Sequence, residues 1–138
     1  MDKKVVSQKI DNLINCLNRL NSRQAISADE LINNYDLQDI ISINIERAIQ
    51  SCIDLSAHIL ADYDDLGILS SASIFLELGN KRIIGSATAA KLSKAAGFRN
   101  LLVHRYATID WIKVHQNLSQ ELPIFRTFIE EVSRFCEL

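Results

Sequence analysis

Between about Asp36 and Ala61 the chain repeats Ile41, Ile45, Ala48, Cys52, Leu55 and Ile59 at steps of four and three. No strand can use such a spacing, because strand side chains alternate with a period of two, whereas an α-helix gathers these positions into one stripe. Ile40, Ile49, Ile53 and Leu60 widen the stripe, so this helix can touch two neighbours at once. A long helix apolar on so broad a face must be packed along its length by other helices. The chain is thereby committed to an all-α architecture, an antiparallel helical bundle.

The remaining segments agree. From about Asp2 to Leu20, Val6, Ile10, Leu13, Ile14, Leu17 and Leu20 form a second apolar stripe. Ser27-Ala28-Asp29-Glu30 reads as a capping box opening a short helix that ends near Asn33-Asn34. Asp62 to Gly67 is an acidic turn, and a helix from about Ser71 to Leu78 is expected to stop at Gly79. Ser86 to Ala96 is alanine-rich and helical, Gly97 predicts a stop or bend, and Phe98 to Val103 resumes the helical pattern. Asp110 is an N-cap for a helix starting at Trp111. A last helix from about Ser119 to Glu137 carries Pro123 near its start and is expected to bury Leu122, Phe125, Ile129, Val132 and Phe135. The scheme has two long scaffold helices early, with shorter helices carrying the functional region between about 67 and 110. Residues 1–138 are expected to form a single domain, since 48% hydrophobic content suffices for a core.

No run approaches the roughly 20 apolar residues of a membrane span. Met1-Asp2-Lys3-Lys4 leads into an amphipathic helix and not into a signal-peptide core. Cys16, Cys52 and Cys136 are odd in number and widely spaced, which predicts reduced thiols and a cytoplasmic protein. Neither they nor the three histidines show zinc spacing, and no cofactor is expected.

Charge is unevenly distributed. Nine acids and one base, Arg47, lie between Gln24 and Asp65. Lys81, Arg82, Lys91, Lys94, Arg99 and Arg105 then follow with no acid among them. Such a stretch either forms a phosphate-attracting face or is a merely solvated surface. Inside it stands Gly97-Phe98-Arg99-Asn100-Leu101-Leu102-Val103-His104-Arg105-Tyr106. A histidine exchanges protons near neutral pH, and an arginine offers a permanent planar fork for phosphate oxygens. Together they suit cleavage of RNA, in which a 2′-hydroxyl loses its proton while charge builds on phosphorus. Asn100 could orient the imidazole or hold a phosphate oxygen, and Tyr106 could stack on a base. No acid occurs from Lys81 until Asp110, so the segment supplies no carboxylate cage for a metal. On an ideal helix Arg99 and Tyr106 share a face, as do Asn100 and His104. Arg99 and His104 lie about 140° apart, so their convergence predicts a helix that loosens near Val103. Taken alone, one histidine near one arginine is more often structural than catalytic.

Arg99-Asn100-Leu101-Leu102-Val103-His104-Arg105-Tyr106 resembles the R-x4-H-x-Y signature of the HepT-like branch of the HEPN superfamily. Gly97-Phe98, Ile109-Asp110 and the long helix with Glu46-Arg47-Ala48-Ile49-Gln50, Asp54 and His58 extend the resemblance from about Asp36 to the C-terminus. It implies a dimerising helical bundle with two motifs facing a shared cleft. It also implies metal-independent endoribonuclease activity, with Arg99 and His104 as the catalytic pair and Asn100 and Arg105 in support or on RNA. Arg105 stands where many relatives carry an acid. The implied partner is a minimal nucleotidyltransferase antitoxin that neutralises the toxin by transferring AMP to Tyr106. A non-enzymatic helical module that binds a nucleotidyltransferase is the alternative reading. Asp54 and His58 are either a helix ion pair or anchors for the motif, His115 a packing histidine, and Trp111 a core or dimer anchor.

Overall fold

The computed structural model describes residues 1–23, 25–104 and 108–138. It contains helices α1 (Lys3–Asn21), α2 (Ala28–Asn33), α3 (Tyr35–Leu60), α4 (Ser71–Asn80), α5 (Ser86–His104), α6 (Trp111–Glu121) and α7 (Pro123–Cys136), with no strand among the described residues. α3 is the spine. Its predicted stripe is buried throughout, with Ile41, Ala48, Cys52 and Leu55 wholly inaccessible. α1 lies along α3 and buries Val6, Ile10, Leu13, Leu17 and Leu20. On its other sides α3 meets α4 and α5, which pack closely on each other. Phe75 of α4 and Phe128 of α7 lock that end edge to face, their ring centroids 6.2 Å apart. No described helix is long and apolar enough to cross a membrane.

Polar side chains set the helix starts. Asp2 accepts from the amide of Lys4, Asn34 from Leu37, and Asp110 from Lys113. Ser27 accepts from the Glu30 amide, while the Glu30 carboxylate takes the Ser27 hydroxyl at 3.2 Å. Ser70 and Ser73 form a reciprocal capping box at α4.

Three boundaries depart from the sequence expectation. α4 runs through Gly79 to Asn80, and the left-handed residue after it is Arg82, with φ 60°. Gly79 is needed for a different reason: a Cβ there would lie 2.9 Å from Cβ of Ala89 on α5, so its absence permits the close α4–α5 approach. Gly97 does not stop its helix, and α5 continues as one helix to His104. The stripe Thr88, Leu92 and Ala96 packs inward with nearly complete burial, and that packing outweighs the local cost of one glycine, roughly 1 kcal/mol. Finally, Ser119 to Glu121 end α6, and Pro123 opens α7 in its first turn, where a missing N–H costs nothing. Leu122, Phe125 and Val132 are buried as expected, whereas Phe135 is exposed and Ile129 only half-buried, their place in the core being taken by Phe128 and Cys136.

Candidate active site

The last turn and a half of α5 carries Arg99 to His104, the described part of the motif. Steps of four, four and three take Thr88, Leu92 and Ala96 to Arg99, so the backbone aims Arg99 along the inward stripe at the point where the core ends. The residue is half-buried. Its Nε atom is inaccessible and without a hydrogen-bond partner, and Nη1 lies 3.5 Å from Oδ1 of the exposed Asn100. The aliphatic stem thus rests on the bundle while the outer guanidinium is held near its edge.

His104 is the last residue of α5 and is exposed. The helix is regular through Val103 and His104, and the residues that follow directly lie outside the described ones. Arg99 and His104 therefore stand about 140° apart around the axis and about 7.5 Å along it. Within one chain the helix does not bring them onto a common face. Asn100 and His104, one turn apart, do share one. Arg105 and Tyr106 lie outside the described residues.

The basic stretch that looks continuous in sequence is divided in space. Lys81 is occupied: its ammonium lies 3.2 Å from Asp65, 3.9 Å from Glu77 and 4.3 Å from the centroid of the Tyr63 ring. Arg82 borders a separate hollow beside Glu131 and Arg134. Lys91 and Lys94 instead line a groove of about 620 Å³ that opens between α5 and α6. Ile45 and Ile49 of α3 and Phe125 of α7 supply apolar walls, and Lys113 and Asn117 of α6 also line it. The sequence reading missed this groove, although Lys91, Lys94, Phe98 and Leu101 already stand at helical steps.

The other residues are engaged elsewhere. Oδ1 of Asp54 accepts from Nε2 of Gln50 at 2.9 Å, and Nε2 of His58 accepts from the Asp2 amide at 3.1 Å. Neither of these bonds involves the motif. Nε2 of His115 lies 2.7 Å from the carbonyl of Ile26, tying α6 to the turn before α2. Trp111 packs half-buried against the core. Among the described residues no group of three or more histidine, cysteine, aspartate or glutamate side chains could hold a metal ion.

The histidine and arginine sit at the exposed end of a bundle helix, in a segment free of acids. Residues 13–132 match the family described as ribonuclease HepT-like, and that span contains the whole arrangement. The chain belongs to the ribonuclease HepT-like family. Among curated HepT-like relatives, a tRNA nuclease HepT of Aphanizomenon flos-aquae is 24% identical over 95% of this chain and 89% of its own length. An mRNA nuclease HepT of Shewanella oneidensis is 28% identical over 93% of this chain and 96% of its own. A solved structure of a tri-AMPylated Shewanella oneidensis HEPN toxin in complex with MNT antitoxin superposes with a TM-score of 0.86. It is 27% identical and covers 97% of this chain and 99% of that one.

Proposed function

We propose that this protein is a metal-independent endoribonuclease, the toxin of a toxin–antitoxin pair, acting in the cytoplasm as one domain. The observation that carries the reading is the family match over residues 13–132, with relatives named as nucleases aligned over nearly their whole length. In the reaction His104 takes the proton of a ribose 2′-hydroxyl. The resulting oxygen attacks the adjacent phosphorus, the bond to the 5′-oxygen breaks, and that oxygen receives a proton as it leaves. The products are a 2′,3′-cyclic phosphate and a 5′-hydroxyl. Arg99 neutralises the charge that gathers on the non-bridging oxygens, with a planar fork suited to them. Asn100 orients that guanidinium, and Arg105 draws the RNA backbone.

The reading includes the homodimer that the family resemblance implies, with its two motifs facing a shared cleft. A minimal nucleotidyltransferase antitoxin neutralises the toxin by transferring AMP to Tyr106. A bulky anion there opposes the approach of RNA phosphates.

The test is incubation of purified protein with mixed RNA in EDTA, beside Arg99→Ala and His104→Ala. Cleavage by the wild type alone, leaving 2′,3′-cyclic ends, is the expected result. Intact RNA in all three tubes, with Tyr106 shown unmodified by mass spectrometry, overturns the nuclease reading and favours a non-enzymatic module that binds a nucleotidyltransferase. Expressed without antitoxin, the wild type stunts growth and His104→Ala does not; a module is harmless in both forms.

A further inference from the structure

The groove between α5 and α6 has a direction. Lys91, Lys94, Phe98 and Leu101 line it from α5 at steps of three, four and three, and one further step of three reaches His104. By helix rise, Lys94 lies about 15 Å from His104 along the axis and Leu101 about 4.5 Å. The α5 wall of the groove therefore runs from two exposed lysines past the half-buried Phe98 to Leu101, and ends about one helical turn short of His104, which does not itself line the groove. Lys113 adds a cation from α6. Two carboxylates also line the groove: Asp110, whose Oδ1 caps the Lys113 amide, and Glu121, ten residues beyond Trp111 at the far end of α6.

Apolar walls with the half-buried Phe98 and cationic margins match single-stranded nucleic acid, whose bases present flat apolar faces and whose backbone is anionic. A peptide partner would use the walls but has no general need for lysine on both sides. The geometry points to this groove as the track that holds the single-stranded RNA flanking the cleavage position. A base lies against Phe98 and Leu101, and the neighbouring phosphates are paired with Lys91 and Lys94. This inference rests on the ribonuclease reading above and adds the substrate class, an unpaired strand, together with residues that select for it.

The experiment separates the inference from the reading it rests on. Binding of a fluorescein-labelled, mixed-sequence single-stranded RNA is followed by anisotropy in the His104→Ala background, and cleavage of the same RNA is followed with His104 intact. The charge reversal Lys91→Glu/Lys94→Glu falls on exposed positions and leaves the thermal melt unchanged. It is expected to weaken binding at least tenfold and to lower the slope of log affinity against log salt by about 1.4, the value for two phosphates on a single strand. Lys91→Arg/Lys94→Arg retains binding, and so does Lys3→Glu/Lys4→Glu, which makes the same charge change on α1. Phe98→Ala weakens binding about tenfold, the loss of one stacked base.

If wild type cleaves while Lys91→Glu/Lys94→Glu binds and cuts normally, the groove inference falls and the nuclease stands. If the double variant instead changes the oligomeric state at unchanged affinity, a second copy covers the groove and the inference is likewise wrong. If wild type neither binds nor cuts RNA, both fall together.

Discussion

The carboxylate of Glu131, on α7, accepts a hydrogen bond from the hydroxyl of Thr88 on α5, and its other oxygen accepts from the amide of Gly85 just before that helix. A residue 43 positions away thus caps the helix that ends in the candidate catalytic pair. Anions at a helix N-terminus are favoured both by the unpaired amides and by the helix dipole. Glu131→Ala is expected to cost about 1–3 kcal/mol, since it leaves a buried hydroxyl and an amide without their partner. Glu131→Gln should cost less. Urea denaturation of the two variants checks the order.

Two glycines give opposite predictions. Gly79→Ala drives a methyl group to 2.9 Å from Cβ of Ala89, where neither helix can give way cheaply, and should destabilise by about 1–3 kcal/mol. Gly97→Ala meets nothing within 4 Å and sits in a helix interior, so it should stabilise by about 0.5–1 kcal/mol. Melting temperatures of the pair would move in opposite directions.

Asp54 and His58 are predicted to be dispensable for RNA cleavage. Asp54 holds Gln50 and His58 holds the Asp2 amide. His58→Ala should lower stability by about 0.5–1.5 kcal/mol, the worth of one ordinary hydrogen bond, and leave the cleavage rate unchanged. A rate falling tenfold or more in either Asp54→Asn or His58→Ala would show that the pair supports the motif after all.

Burial pushes the Cys52 thiol far above its usual range, with nearby Cys16 adding to the effect. The native protein therefore keeps this proton where an unfolded chain releases it. The sign follows: the contribution to stability is complete below the unfolded thiol value of about 8.5 and declines as pH rises above it. Iodoacetamide at pH 8 should leave Cys52 of the folded protein unlabelled and modify it in urea. The urea midpoint should fall between pH 8 and pH 10, and fall less in Cys52→Ala.

What was legible in the sequence was whatever depends on period. The stripes of α1 and α3 could be read because a core helix repeats its apolar residues, and Asp110 because a cap is a local bond. Gly97 misled for the opposite reason. Its local cost is real, but Thr88, Leu92 and Ala96 commit the helix to packing that a propensity cannot register. Gly79 was rightly singled out and wrongly explained, since its reason lies in Ala89, ten residues away. The site divided in the same manner. Residue types drew attention to Arg99 and His104, whereas the inward aim of Arg99 and the pairing of Lys81 with Asp65 require knowing which faces meet. The groove needs the separation of α5 from α6, which neither helix encodes alone.

Arg99 shares its stripe with residues that hold the bundle together, and this bears on how a host escapes the protein. Survivors selected for growth without antitoxin should carry lesions not only at the motif but also at Leu92 and Ala96, where a change of side-chain volume both displaces the arginine and loosens the bundle. Such alleles would be silent because little folded protein survives, whereas motif alleles would be silent at full abundance.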